Sequence, residues 1–432
     1  MNLSKTQEIF YGFEQFESFI ERLLNQFENM RQELFNGIID LINVFRKQKN
    51  TISEIKEKYS QQSSNKHLNK IYLSCKVVQE QQLKKFLNQM QKFQETLSSI
   101  YKSDSIWLDE LFNEELMNVR LVLMDDTMSQ NEACFAIALN QPGTIMASGS
   151  ENQIKMWNFN NGNIKQITTL STHQMLIFCL IFSNKCNSFL SGSNDSISMW
   201  QTKDDQSWEN VNTIQIGAYC MILNTNEAKL YIGGQESISV SDINFEKKKL
   251  DIMWILPVKQ AYCISLNEDE TFLVACSNDK QIRIWQIQQH SIYEHQIIDT
   301  NQDGHKICFL TNTQFIWLPK EQYQQNSVYV YELQEGEFQH QKDKMIPLQT
   351  DAKCYDCLFF PIIFNQGRKM FAVRHKYYLY LLKICSNGKF KIVTQKEFLT
   401  DEIYGTMTKD GNNLVLWDEI SKKYQIYEIE IS

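Results

Sequence analysis

Seven times between residue 130 and residue 432 the sequence runs through one unit: a short apolar strand, a turn, a second strand, a tight polar turn and a third strand. The first strands are expected to end at Leu139, Phe182, Leu223, Leu266, Leu310, Phe360 and Met407, spacings of roughly 41 to 50 residues. A unit of that length cannot bury both faces of its own sheet, so neighbouring units must stack. The period is that of four-stranded propeller blades arranged around an axis.

Three units carry a fuller signature. Met146 to Trp157 reads Met-Ala-Ser-Gly-Ser-Glu-Asn-Gln-Ile-Lys-Met-Trp, Leu190 to Trp200 reads Leu-Ser-Gly-Ser-Asn-Asp-Ser-Ile-Ser-Met-Trp, and Val274 to Trp285 reads Val-Ala-Cys-Ser-Asn-Asp-Lys-Gln-Ile-Arg-Ile-Trp. Small residues ending the second strand, a polar turn and a Trp on the third resemble the WD40-repeat family. The other four units follow by period. The third, fifth and sixth end in Ser239 to Asp242, Val328 to Tyr331 and Tyr378 to Leu381, without the Trp. In the seventh, Trp417-Asp418 imitates the family dipeptide, but the turn at Lys409 to Gly411 sets Leu414 to Trp417 as a second strand and Tyr424 to Ile431 as a third.

That register leaves the last blade one strand short. The apolar segment Val119 to Leu123 has no blade of its own, and in this family an N-terminal strand commonly completes the last blade, leaving no open edge. The expected fold is therefore an all-β seven-bladed WD40 β-propeller over residues 118–432, with residues 118–124 closing the ring.

Residues 1–117 are punctuated differently. Proline first occurs at Pro142, and only Gly12 and Gly37 precede Gly143. Apolar residues recur at steps of three and four from Phe13 through Ile20, Phe27, Leu34, Leu41 and Phe45, and again from Leu68 to Ile100 after the polar stretch Ser60 to Lys66. This heptad-like pattern predicts an α-helical region, a coiled coil or a helical hairpin, with a short third helix capped by Asp104. Packing of one seam on the other and self-association between chains are both open.

A net charge of -8 and a pI near 5.5 argue against a nucleic-acid partner. Lys247 to Lys249, the longest basic run, reads as a solvated turn. The first residues lack the apolar core of a secretory signal, and the longest apolar stretch, Met175 to Phe182, is less than half a membrane span. Eleven cysteines without a compact framework fit reduced thiols. The expectation is a soluble, cytoplasmic chain without membrane insertion.

No catalytic constellation stands out: there is no P-loop, no Gly-x-Ser-x-Gly elbow, no His-Glu-x-x-His and no dense Cys/His cluster. No metal, cofactor or catalytic residue is expected. Cys354-Tyr355-Asp356-Cys357 has the spacing of a redox pair, yet Cys179, Cys220, Cys263 and Cys357 all fall three residues before the expected end of a first strand, with Ala136 in the same slot. They read as small apolar packing around a central channel. His173 and His305 precede first strands, and the family resemblance implies a buried network of His173, Ser191 or Ser193, Asp195 and Trp200 in the second unit, with Trp157 in the first and Asp279 and Trp285 in the fourth.

The resemblance implies a non-enzymatic scaffold binding protein partners through propeller loops, with the N-terminal arm used for docking or oligomerisation. A structural component of a cytoskeletal or ciliary assembly and a substrate receptor of a ubiquitin ligase are the alternatives. The expected protein-binding rim comprises Glu151, Asn152, Asn194, Asp195, Asn278, Asp279 and Lys280.

Overall fold

A computed structural model describes residues 119–431 except 161, 205, 206, 290, 321–325, 350–359, 386 and 387. The helices expected in residues 1–117 lie outside the described residues. Seven antiparallel sheets follow one another, and their innermost strands are Ile137–Leu139, Ile177–Phe182, Cys220–Leu223, Cys263–Leu266, Gly304–Phe309, Ile363–Asn365 and Ile403–Met407. We number these blades one to seven.

Each strand's sequence matches its depth in the blade. Second strands are covered on both faces by neighbouring blades, so they read as continuous buried runs: all six residues of Ser188–Ser193 are buried. Outer strands, where blades splay apart, mix polar and apolar residues, as in Asn163–Ser171. Buried side chains gather in seven clusters, each between two adjacent blades. The cluster between blades seven and one holds Trp157, Trp417, Tyr404 and Tyr424, so packing closes the circle as well as hydrogen bonding.

The ring's seam is a sheet. Val119–Asp125 pairs antiparallel with Tyr424–Ile431, from Val119 opposite Ile431 to Asp125 opposite Ile426, and forms the fourth strand of blade seven. Trp417 lies on the second strand of that blade, Asn413–Asp418.

One irregularity recurs around the ring. In blades one, two, three, four and six the outer strand carries one extra residue against the third strand: Ile167, Val211, Met253, His295 and Val393. Met124 is the equivalent in the closing strand. Such bulges raise local twist and turn the blade's outer edge. Blade five enlarges the feature: its third strand Ser327–Gln334 pairs first with Glu337–His340 and then with Ile346–Pro347, with an excursion between.

Two expected strand positions are corrected. The inner strand of blade five ends at Phe309, not Leu310. That of blade six ends at Asn365 rather than Phe360. The reason is a side-chain anchor. The Asn365 carboxamide accepts from the Arg368 amide (2.9 Å) and donates to the Lys409 carbonyl (2.9 Å). Asn140, Asn224 and Asn267, each just after its inner strand, accept from the amides that open the second strands, those of Ile145, Lys229 and Phe272. The apolar run ending at Phe360 therefore precedes the strand. Cys357, like Cys354, lies outside the described residues.

At the ends of the inner strands, adjacent blades are stapled. Glu227 accepts from Ser183 Oγ (2.5 Å) and the Asn184 amide (2.5 Å), Glu270 accepts from Asn224 Nδ2 (3.0 Å) and the Thr225 amide, and Asn312 Oδ1 accepts from the Asp269 amide (2.8 Å). On this face turn polar groups bind one another across these blade boundaries.

Candidate functional site

The opposite face is built differently. In blades one to four the turn between second and third strands binds the start of the next blade: the carbonyls of Glu151, Ser193, Gly234 and Ser277 accept from the amides of Ile177, Ala218, Ala261 and Gly304. One rim therefore brings together residues from different blades at fixed spacing. Glu151, Asn152, Asn194, Asn278 and Lys280 are exposed on it, while Asp195 and Asp279 are only partly so.

The two aspartates are turned inward. Asp195 accepts from Ser193, from Ser196 Oγ (2.9 Å) and from the Gln174 amide (3.4 Å). Burial pushes its carboxyl up, but these donors outweigh that and hold it below the usual range. Asp279 accepts from Ser277, the Gln281 amide (3.2 Å) and Arg283 Nη2 (3.0 Å). Asn152 Nδ2 donates to the His173 carbonyl (3.3 Å), and Asn278 Nδ2 to Gln260 Oε1 (3.0 Å).

Behind Asp195 runs a continuous polar chain. Trp200 Nε1 donates to Ser191 Oγ (2.9 Å), which lies 2.7 Å from His173 Nε2, and His173 Nδ1 lies 2.9 Å from Ser196 Oγ. Donors balance if Ser191 donates to Nε2, Nδ1-H donates to Ser196, and Ser196 donates to Asp195. His173 is then neutral, in keeping with burial lowering its pKa against the pull of Asp195. Of the two serines the sequence left open, Ser191 bridges His and Trp; Ser196, which the motif did not suggest, completes the chain.

The other network residues part company. In blade one, Trp157 Nε1 donates to Ser148 Oγ (2.9 Å), and Ser148 lies 2.7 Å from the Tyr424 hydroxyl, which donates to Gln130 Oε1 (2.7 Å). Gln130 and Tyr424 thus do there what His173 does in blade two. In blade four Asp279 and Trp285 are not joined: Ala275 stands in the place of Ser191, two residues beyond the partner of the Trp, and its methyl offers the indole no acceptor. His305 is also corrected. It is the second residue of its inner strand, and its ring packs on Tyr262 at 5.4 Å between centroids.

That ring contact belongs to a feature the sequence reading missed. Aromatic side chains at the rim end of the inner strands touch in succession from Tyr404 through Phe135, Phe178, Tyr219 and Tyr262 to His305, with centroids 5.2 to 6.1 Å apart. The signal was an aromatic residue directly before the small slot, as in Phe178-Cys179 and Tyr219-Cys220. The collar and the small residues Ala136, Cys179, Cys220 and Cys263 line a cavity of about 580 Å³. Burial pushes these thiols up, and the neighbouring Cys308 to about 12. They are poor nucleophiles and metal ligands in that state. Among the described residues no group of three or more His, Cys, Asp or Glu is placed to hold a metal ion.

The rim also carries Met175 and Leu176, exposed in the loop that leads from His173 into blade two. In the sequence they open the apolar stretch Met175 to Phe182, which does not mark them as surface.

Seven such blades around a small-residue channel define a seven-bladed β-propeller. Residues 164–201 and 258–286 match the family described as WD domain, G-beta repeat, and these segments contain Trp200 and Trp285. No curated protein matches the chain. Among the described residues no helix is long and apolar enough to cross a membrane.

Proposed function

We propose that this chain is a non-enzymatic protein-interaction scaffold whose propeller binds partner proteins through the rim of Glu151, Asn194, Asn278 and Lys280. The observation that carries the reading is the contrast between the two faces. On one, the turn polar groups staple neighbouring blades; on the other, inward-turned Asp195 and Asp279 stiffen the turns while the flanking side chains point to solvent, and Met175 and Leu176 are exposed in the loop between the turns of blades one and two. Exposed apolar side chains beside rigid polar ones are the usual anatomy of a protein contact. Asp195 and Asp279 act here as turn locks, and Glu151, Asn152, Asn194, Asn278 and Lys280 as contact residues. The apolar seam of residues 1–117 supports a docking or oligomerisation role for that segment.

Crosslinking with mass spectrometry in native cells tests the reading. Intermolecular crosslinks from the propeller should concentrate at Lys280 and be sparse at Lys185 and Lys409, on the stapled face. The reverse distribution would assign binding to the other side of the disc.

A further inference from the structure

The flank of the propeller carries a second candidate surface, independent of the rim. The outer strand of blade three, Lys249–Pro257, exposes Ile252 (41%), Met253 (49%) and Ile255 (66%). No other described outer strand exposes three large apolar side chains. In Asn163–Ser171 of blade one the exposed positions are Asn163, Lys165, Gln166, Thr169 and Ser171, and in Ser207–Ile214 of blade two only Glu209 is exposed. An apolar cluster on an edge strand is the kind of surface that proteins ordinarily avoid or cover.

Charge brackets the cluster. Lys247, Lys248 and Lys249 are exposed at one end and Lys259 at the other, against the exposed carboxylates Glu246 and Asp251. Four ammonium groups against two carboxylates make a positive surround in a chain of net charge -8. The edge itself is a poor template for backbone pairing, because the extra residue Met253 interrupts its ladder and Pro257 has no amide hydrogen. Side chains must therefore carry the contact.

We propose that Ile252, Met253 and Ile255 form a docking patch for a segment of another protein that is apolar in its middle and acidic at its ends. The lysines choose this occupant over a second copy of the chain: a two-fold contact between copies would set the same positive surround against itself, and opposed like charges destabilise such contacts.

The test uses the full-length chain and two fluorescein-labelled peptides, Glu-Glu-Ile-Val-Ile-Val-Glu-Glu and the same core with lysines replacing the glutamates. Fluorescence anisotropy should show the acidic peptide binding at least about tenfold more tightly than the basic one, with the preference shrinking as salt rises from about 50 to 500 mM. Ile255→Lys and the double variant Lys247→Glu/Lys249→Glu should each weaken it about tenfold. The exposure of Ile255 predicts an unchanged melting temperature for Ile255→Lys; Met253→Lys serves as a second variant if the first fails to fold. Equal binding of both peptides, no binding of either, or full binding by both patch variants would overturn the proposal. A dimer in sedimentation that Ile255→Lys dissolves would overturn it in favour of a second copy.

Discussion

The hydroxyl of Tyr424 donates to Gln130 Oε1 at 2.7 Å, across 294 residues of chain. The same glutamine donates from Nε2 to the Gly149 carbonyl (2.8 Å), and its backbone carbonyl accepts from Trp417 Nε1 (3.2 Å). One side chain thus ties the third strand of blade seven to the second strand of blade one, at the place where the ring shuts.

Breaking that tie should cost stability without changing the fold. Tyr424→Phe removes one buried hydroxyl and should lower stability by about 1 to 2 kcal/mol; Gln130→Ala leaves the phenol Ser148 alone as partner and strips the Gly149 carbonyl of its donor, and should cost about 2 to 3 kcal/mol. Urea denaturation of the two variants and of the pair measures both. Additive effects would show that the residues act separately.

In blade two, Ser191→Ala leaves both the Trp200 indole and the His173 ring without their shared partner, and should cost about 2 to 3 kcal/mol. Ala275→Ser, which places a hydroxyl in the matching position of blade four, should cost far less. Equal losses would mean that cavity and packing effects, not the polar chain, decide stability here.

The same chain sets a pH dependence. His173 has its pKa lowered by burial below its usual 6.5, so the unfolded chain takes up the proton first and stability falls as pH drops below that value. Asp195, held below 3.8 by its donors, adds a loss as pH falls further, through its folded pKa. The urea midpoint should drop between about pH 7.5 and 5.5, and the drop should shrink in His173→Gln. An unchanged slope in that variant would place the dependence elsewhere.

Packing at the channel gives a prediction of different kind. A Cβ at Gly192 would stand 2.6 Å from Cys179 Sγ and 2.9 Å from Ala218 Cβ, so Gly192→Ala should destabilise by about 1 to 3 kcal/mol. Cys179→Ala in the same chain should return part of that. If the double variant is as unstable as the single losses added together, the close approach is not the cause.

Much of this architecture was legible in the sequence because its repeating units mark their own ends. Small residues at Gly149, Gly192 and Ala275, a polar turn and a Trp fixed the register of three blades, and period carried it to the rest. Blade six slipped because apolar character alone does not separate a strand from the segment before it; the Asn365 anchor did. The outer-strand bulges left no trace in composition, since the extra residue is Ile, Val, Met or His. At the site, the motif found His173, Asp195 and Trp200 but not Ser196, and it could not see that Tyr424 serves blade one. Contacts that span the ring are set by closure, which no local pattern encodes. Nor did the motif separate aspartates that lock turns from neighbours that face solvent, because that depends on where Ser193 and Arg283 reach.

The most direct measurement is affinity capture from native cells with the full-length chain, comparing wild type with Met175→Asp/Leu176→Asp. Both side chains are exposed, so the melting temperature should stay within a few degrees. The wild type should recover stoichiometric protein partners, and the variant at least about tenfold less of them. Undiminished recovery by the variant, or no protein partner together with turnover of a small substrate, would contradict the scaffold role.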